Sequence, residues 1–310
     1  MRVLILGSTD LTLAVAEQVL TIGQEVVGLM SVPPIFSISY QPRGMQNVRA
    51  VDIVSWCESN AVSHDVYENP DSIASFKEFV RADFALAAGW YHMIPRRIRN
   101  LFPRGCAGLH ASLLPELRGN APLNWALLSR KKETGISLFE FSDGVDTGPL
   151  FGQRSFPITP DTYIDDLVKA AEKAAKELIA ECLPKIESGT LRPDPQRGKP
   201  SYCLARLPED GLIDWTKPAE SIALLVRAVS RPYPGAFSYL DSQMIVIWRA
   251  KAILNGPQVY GLSGQITHIP DFDHTLVVTG EGVIAIEEAT LETGKSCLDL
   301  LRKANHRRFK

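Results

Sequence analysis

Short apolar runs alternate with helical periodicity over the first half of the chain. Residues 2–6 (RVLIL) form an apolar run that stops at Gly7, and a second such run covers 25–32. Between them, apolar residues recur over 11–20 at the spacing of one helix face. Nearly continuous apolar runs of this kind are typical of strands buried on both faces of a parallel sheet. The pattern therefore predicts an α/β fold with a Rossmann-like, doubly wound and mostly parallel sheet.

The remaining strands of this sheet are also expected in short apolar segments. They are predicted at 83–88, 105–109, 135–141 and 151–158. A long helical pattern begins after Thr162, with apolar residues on one face and charged residues on the other. These elements assign residues 1–188 to one α/β domain.

The pattern changes after the long helix. Gly189 to Tyr202 is rich in proline, glycine and basic residues, so 189–206 is predicted to be a linker. Short apolar strands with turn residues between them then follow over 236–289. They predict a smaller OB-like β-barrel domain at 207–310. The basic end of the chain, 300–310, is expected to be solvated and frayed.

Composition limits the class of protein without identifying it. The chain has 310 residues, of which 45% are apolar and 22% charged, as in an ordinary globular protein. The formal net charge of −2 provides no overall basic character for nucleic acid, and no apolar run is long enough to span a bilayer. The five cysteines and six histidines are dispersed without metal-ligand spacing. We therefore expect a cytoplasmic protein with reduced thiols and no metal.

Residues 33–46 (PPIFSISYQPRGMQ) are predicted to form a loop from their proline, serine and glycine content. This segment contains one charged residue, Arg43. Contacts to phosphate depend on lysine and arginine, so the segment suits a small, partly apolar ligand better than a nucleic acid.

The candidate chemistry lies after two of the predicted strands. His110 follows the strand at 105–109, and Asp146 follows the strand at 135–141. Ligands of open α/β sheets bind at the carboxyl ends of the strands, so these two side chains are expected to meet. An imidazole beside a carboxylate serves in acid–base catalysis or in stabilising an oxyanion.

The sequence around these residues resembles the folate-dependent formyltransferases. The resemblance rests on HASLLP (110–115), ELRG (116–119) and DGVDTG (143–148), and it extends over nearly the whole chain. It implies transfer of a formyl group from the co-substrate N10-formyltetrahydrofolate to a primary amine, without a metal. It also implies catalytic roles for His110 and Asp146.

Gly108 departs from the family pattern, which has asparagine at this position. The asparagine amide is the second oxyanion donor of the family, and losing one such donor costs about a hundred- to a thousandfold in rate. Three interpretations stay open. The chain is a weak or degenerate formyltransferase, a nearby amide such as Asn120 or Asn124 replaces the missing donor, or the glycine is an incidental change in an intact enzyme.

The resemblance also implies two sets of binding residues. The residues expected to line the slot for the folate are Trp90, Tyr91, His92, Ile94, Leu114, Asp143 and Val145. The residues expected to bind the acceptor substrate are Ser112, Arg118, Asn120 and Pro122.

The acceptor is the least determined part of this interpretation. A nucleotide-linked amino sugar is favoured by the weakly charged segment at 33–46 and by APLNW at 121–125. Initiator methionyl-tRNA is the alternative, favoured by the C-terminal barrel and the basic tail. A non-catalytic folate-binding homologue is the third candidate, because of Gly108. No membrane partner is expected, and a homodimer is left open.

Overall fold

The computed structural model describes residues 1–38, 41–254, 256, 258–270 and 272–310, with the backbone alone at 41–43. Within these ranges the chain divides into two compact units. The first unit comprises Met1–Pro122, Lys132–Ile158 and Val168–Leu204. The second comprises Leu123–Lys131, Thr159–Leu167 and Ala205–Lys310. The boundaries expected at residues 188 and 206 stay a prediction.

The helices and strands up to residue 203 belong mainly to the first unit. In chain order they are β1 (Arg2–Leu6), α1 (Asp10–Thr21), β2 (Glu25–Ser31), β3 (Ile35–Ile38), β4 (Gln41–Gln46), α2 (Ile53–Asn60), β5 (Ser63–Val66), α3 (Pro70–Val80), β6 (Phe84–Ala87), α4 (Arg96–Arg99), β7 (Cys106–His110), β8 (Arg118–Gly119), α5 (Pro122–Leu128), β9 (Glu133–Glu140), β10 (Leu150–Pro157), α6 (Ile164–Glu187) and β11 (Tyr202–Cys203).

Seven of the described strands form one sheet in the order β10-β9-β7-β6-β1-β2-β5. The pairs from β7 to β5 are parallel, whereas β9 pairs antiparallel with both β7 and β10. Helices α1, α2 and α6 contribute to one buried apolar cluster, and α3 and α4 contribute to another. The predicted Rossmann-like, doubly wound and mostly parallel sheet is confirmed. The edge strand β5 was not predicted.

The strand order reverses between β1 and β6, and this reversal defines the edge where a ligand is expected. A Cβ atom on Gly7, directly after β1, would lie 1.9 Å from the carbonyl oxygen of Ala88. Only glycine allows this close approach of the two loops. Open α/β sheets bind ligands outside the carboxyl ends of their strands at such a reversal. His110 is the last residue of β7 and lies at the same edge.

The second unit contains an antiparallel sheet. Its further elements are α7 (Ala219–Val229), β12 (Ala236–Leu240), β13 (Gln243–Ile253), β14 (Ile266–Thr267), β15 (Thr275–Val278), β16 (Val283–Leu291) and α8 (Leu298–Lys303). The strand order is β12-β13-β16-β15-β14. The predicted smaller, OB-like β domain is confirmed.

The expectation of a frayed end at 300–310 is wrong. Leu301 and Phe309 are buried, and the Phe309 ring stacks on Trp215 with centroids 5.0 Å apart. The Ser238 hydroxyl donates to the carbonyl oxygen of Lys310 at 2.9 Å. The basic residues of the tail alternate with apolar residues that anchor it, and a count of charges alone overlooks those anchors.

The expectation of a loop at 33–46 is also wrong for most of the segment. Strands β3 and β4 pair antiparallel as a hairpin, with Ile35 opposite Gln46 and Phe36 opposite Met45. Phe36 is buried whereas Ile35 is 69% exposed, which is the alternation of a strand with one covered face. The side chain of Arg43 lies outside the described residues.

Two general expectations concern thiols and membranes. All five cysteines are buried free thiols. None of the helices in the described ranges combines the length and the apolar character that a bilayer-spanning helix needs.

Candidate active site

His110 lies at the end of β7 with its imidazole almost completely buried. Its Nε2 atom lies 2.7 Å from the carbonyl oxygen of Leu117, so the Nε2–H donates to that oxygen. Leu117 has a left-handed φ of +56°, which a non-glycine residue adopts only where the surrounding structure stabilises it. The imidazole of His110 is therefore held through Nε2, and its Nδ1 atom faces a second partner.

Asp146 provides that partner from the turn after β9. Its Oδ2 atom lies 3.5 Å from His110 Nδ1, slightly beyond the range of a direct hydrogen bond. The same oxygen accepts the backbone N–H of Gly119 at 2.8 Å. The structure thus brings His110 and Asp146 together, as their sequence positions predicted.

The turn at 142–148 has a tightly constrained shape. A Cβ atom on Gly148 would lie 1.6 Å from the carbonyl oxygen of Glu140, so this position requires glycine. The hydroxyls of Ser142 and Thr147 lie 2.6 Å apart across the turn. Asp143 is exposed and pairs with the guanidinium of Arg99, and Val145 is exposed.

Gly108 packs against the aromatic rings of Phe139 and Phe141. A Cβ atom here would lie 2.8 and 2.9 Å from two ring carbons of Phe141 and 3.2 Å from the Phe139 ring. These two rings pack on each other with centroids 5.1 Å apart. The first atom of an asparagine side chain would already clash, so Phe141 occupies the space that a longer side chain at position 108 would need.

The two amides considered as replacements lie in different surroundings. The Asn124 side-chain amide is buried in the second unit and donates to the carbonyl oxygen of Ala228 at 2.7 Å. Because its donor is used there, Asn124 does not fit the role of oxyanion donor. Asn120 is exposed and directly follows Gly119, whose N–H holds Asp146, so it remains the candidate.

Five aromatic side chains form a cluster near the segment predicted to bind the folate. The cluster comprises Phe36, Tyr67, Trp90, Tyr91 and His92. Tyr67 stacks on His92 at 4.4 Å and meets Trp90 edge-on at 5.0 Å. The Tyr91 hydroxyl donates to Asn47 at 2.9 Å, and Ile94 is buried.

Two ring nitrogens of this cluster, Trp90 Nε1 and His92 Nε2, are buried with no hydrogen-bond partner among the described residues. A buried polar atom without a partner is costly, and a bound ligand is one way to satisfy it. Burial lowers the pKa of His92, which favours its neutral imidazole. Tyr67 and His92 cover each other's ring faces, so the two nitrogens without partners are the feature of this cluster that a ligand could satisfy.

Two of the predicted binding residues form hydrogen bonds inside the fold. The Ser112 hydroxyl is fully buried and donates to the carbonyl oxygen of Glu116 at 2.6 Å. Leu114 is buried, and its N–H and carbonyl are bonded to Ser137 and Gln153. These bonds hold the backbone of the SLLP turn, and contact of Ser112 and Leu114 with ligands stays a prediction.

Arg118 and Pro122 lie on the segment after this turn, and both are half-buried. Pro122 is the first residue of α5. The Arg118 guanidinium bonds Gln196 and the Tyr202 hydroxyl. Gln196 and Tyr202 belong to the segment predicted as a linker, and sequence reasoning missed both. The only available signal was a run of polar and basic residues, which is also typical of an exposed linker.

Two clefts in the described structure lie away from the residues assigned above. One cleft of ≈ 520 Å³ lies beside Gln18 and Lys173, and another of ≈ 650 Å³ lies beside Arg2 and Phe79. Neither is lined by the residues assigned above. Over the described ranges, no three His, Cys, Asp or Glu side chains are grouped to hold a metal.

Two family models match the chain. The formyl transferase model covers residues 1–183, and the formyl transferase C-terminal domain model covers 207–302. The chain therefore belongs to the formyl transferase family, and the prediction of a formyltransferase is confirmed at that level.

Similar curated proteins are methionyl-tRNA formyltransferases. The protein of Janthinobacterium sp. is 34% identical over 213 residues, which is 69% of this chain and 66% of that protein. The protein of Agathobacter rectalis is 29% identical over 307 residues, which is 96% of this chain and 94% of that protein.

Similar solved structures share the fold. HypX from Aquifex aeolicus in complex with tetrahydrofolic acid is 19% identical with a TM-score of 0.68, over 96% of this chain and 45% of HypX. This chain thus spans about half the length of HypX. The N-formyltransferase from Helicobacter canadensis, in complex with folinic acid and dTDP-3-aminofucose, is 16% identical with a TM-score of 0.64, over 92% of this chain and 98% of that one.

Proposed function

We propose that this chain transfers a formyl group from N10-formyltetrahydrofolate to the primary amine of a nucleotide-linked amino sugar. The observation that carries the proposal is the placement of His110 Nδ1 3.5 Å from Asp146 Oδ2, at the carboxyl edge of the sheet and within the family's sequence motif. Family membership supplies the class of reaction.

The chemistry follows from the two fixed groups. The amine nitrogen attacks the formyl carbon, the bond from that carbon to N10 breaks, and N10 gains the proton that the amine loses. His110 is held at Nε2 by Leu117, which leaves Nδ1 as the ring atom that can donate a hydrogen bond to the oxygen as it gains negative charge. Asp146 lies beside that Nδ1, accepts the proton from the amine and passes it to N10 as the bond to the formyl carbon breaks.

The aromatic cluster is the proposed place for the pterin part of the folate. Tyr67, Trp90 and His92 provide aromatic surroundings, and the two nitrogens without partners provide polar contacts. Folate compounds in the Aquifex and Helicobacter structures support this assignment through the shared fold.

The acceptor is assigned from charge and similarity. The hairpin β3–β4 spans a segment with one charged residue, which is unfavourable for contacts to many phosphates. The Helicobacter enzyme of similar fold carries a nucleotide-linked amino sugar. The proposed acceptor contacts are therefore Arg118, Asn120 and Pro122.

Methionyl-tRNA is the second candidate acceptor, because the similar curated proteins are methionyl-tRNA formyltransferases. The two candidates differ in their response to salt. Binding of tRNA through several phosphates weakens steeply as salt rises, by about a factor of a thousand or more between low and moderate ionic strength. Binding of a nucleotide sugar has a shallow dependence.

The deciding experiment is an acceptor screen. The protein is incubated with N10-formyltetrahydrofolate and either nucleotide-linked amino sugars or methionyl-tRNA, and the product is detected by the mass of one added formyl group. We expect formylation of an amino sugar. Formylation of methionyl-tRNA alone would select the second candidate. Folate binding with no transfer to any amine would identify a non-catalytic homologue, the outcome that Gly108 makes worth testing.

A further inference from the structure

We infer that Gln196 is a positioning residue that holds the turn carrying Asp146 and connects it to Arg118. This inference concerns the site of the proposed function and rests on it. Gln196 lies after α6, in the segment whose composition resembles a linker, and its side chain is half-buried.

The side-chain amide of Gln196 uses all its hydrogen-bonding capacity within the site. Its Nε2 group donates to the carbonyl oxygens of Asp146 at 2.8 Å and Gly148 at 2.7 Å. Its Oε1 atom accepts from Arg118 Nε at 3.2 Å and Arg118 Nη2 at 2.6 Å. An amide has two N–H donors and two lone pairs, and here each has a partner.

These partners also determine the orientation of the amide. If the oxygen and nitrogen of Gln196 were exchanged, the NH₂ group would face the Arg118 guanidinium and the oxygen would face two carbonyl oxygens. All four contacts would then be repulsive. The orientation is therefore set by the surrounding groups, as it must be for an amide that positions a backbone.

The turn has a left-handed backbone conformation at Asp146, with a φ of +51°. Aspartate enters this region more readily than most residues, and contacts to its carbonyl and carboxylate fix the conformation of the turn. Gln196 holds the carbonyl of Asp146, and the N–H of Gly119 holds its carboxylate at 2.8 Å. The distance from the carboxylate to His110 depends on both contacts.

Arg118 connects this support to the proposed acceptor site. It directly precedes Gly119, and its guanidinium bonds Gln196 and the hydroxyl of Tyr202. A phosphate of the acceptor bound to Arg118 would fix the guanidinium further, and through Gln196 it would also fix the turn. Gln196 therefore couples acceptor binding to the position of Asp146.

The test uses the full chain with Gln196→Ala, Gln196→Glu and the control Arg197→Ala. Arg197 is the exposed next residue, and none of the contacts above involves its side chain. Gln196→Glu keeps an oxygen for Arg118 but has no donor for the carbonyls of Asp146 and Gly148. The measurements are hydrogen exchange of the Gly119 amide without substrates, and kcat and KM for formyl transfer.

We expect both Gln196 variants to exchange the Gly119 amide about tenfold faster and to lower kcat by about ten- to a hundredfold, because small displacements of a reacting group are costly. KM for the formyl donor should stay within about twofold of the original value, which separates positioning from folate binding. Arg197→Ala should match the unchanged protein in all three measurements.

Unchanged exchange at Gly119 in both Gln196 variants would overturn the inference, as would an unchanged kcat beside faster exchange. An increase of KM for the formyl donor with unchanged kcat would also overturn it. If the Gly119 amide exchanges faster while even the unchanged protein transfers no formyl group, the structural role of Gln196 stands and the proposed function fails.

Discussion

Two sides of the candidate site are built in different ways. On the polar side, His110 and Asp146 are each held by a backbone group, the Leu117 carbonyl and the Gly119 N–H. On the aromatic side, Gly108 lies against Phe141, at the position where the resemblance to formyltransferases implies an asparagine. The first side has an imidazole and a carboxylate in fixed positions, whereas the second has an aromatic ring packed on a glycine. Substitutions on the two sides are therefore expected to have separate effects on activity and on stability.

The largest effect is expected on the polar side. Asp146→Asn preserves the shape of the side chain but removes its charge and its ability to accept a proton. Formyl transfer should fall by about a hundred- to ten-thousandfold, the usual contribution of a general acid or base. The measurement is kcat/KM with the acceptor identified by the screen.

A matched variant separates this effect from a general loss of charge. Asp194→Asn removes an exposed carboxylate from a residue whose backbone pairs with Leu150. It should leave kcat/KM within about twofold, since isolated exposed charges contribute little. Equal activity of Asp146→Asn and the unchanged protein would show that the polar side does not carry the reaction.

On the aromatic side, formyl-transfer activity should rise when an asparagine is placed at position 108 and the Phe141 ring is removed to make space for it. Phe141→Ala removes the ring, and adding Gly108→Asn to it places an amide where the ring was. We expect the double variant to exceed Phe141→Ala alone in kcat by about a hundredfold, the usual value of one oxyanion donor. Equal values would mean that another donor, with Asn120 the candidate, already supplies this contact.

Gly108→Asn in the protein that retains Phe141 should instead lower the stability of the fold. In Gly108→Asn alone, the new Cβ would lie 2.8 Å from the Phe141 ring, and overpacking of this kind costs about 1–3 kcal/mol. The measurement is the free energy of unfolding in urea. The control is Gly23→Asn, because nothing lies within 4 Å of its added Cβ and asparagine tolerates its positive φ.

The cost of Gly108→Asn should also shrink in the Phe141→Ala background, because the two residues share one space. Equal costs in both backgrounds would mean that the ring does not limit residue 108.

The sequence predicts the polar side better than the aromatic side for a physical reason. A strand pattern places His110 at the end of β7, and its parallel pairing with β6 fixes the edge at which it lies. The contact between Gly108 and Phe141 depends instead on side-chain packing across the antiparallel pair β7–β9. Periodicity alone does not determine which ring fills which space.

The same limit explains the other differences from expectation. Gln196 lies in a polar segment, and its role depends on backbone carbonyls at Asp146 and Gly148, which no side-chain pattern encodes. The tail at 300–310 is held by Phe309 on Trp215, a contact between residues distant in the chain. Local patterns identify elements, whereas these contacts arise only once the elements pack.

The smallest effect concerns His92, a polar residue of the aromatic cluster. Burial lowers the pKa of His92 in the folded chain below its ordinary value of about 6.5. Above that value both the folded and the unfolded states are neutral at this residue. As the pH falls below it, the unfolded state takes up the proton first, so the folded state loses stability.

His92→Phe should therefore show a smaller loss of unfolding free energy between about pH 7.5 and about pH 5 than the unchanged protein. If His92→Phe loses as much stability as the unchanged protein, the imidazole of His92 is accessible to protons in the folded state. The aromatic cluster around His92 would then be more open to water than its packing indicates.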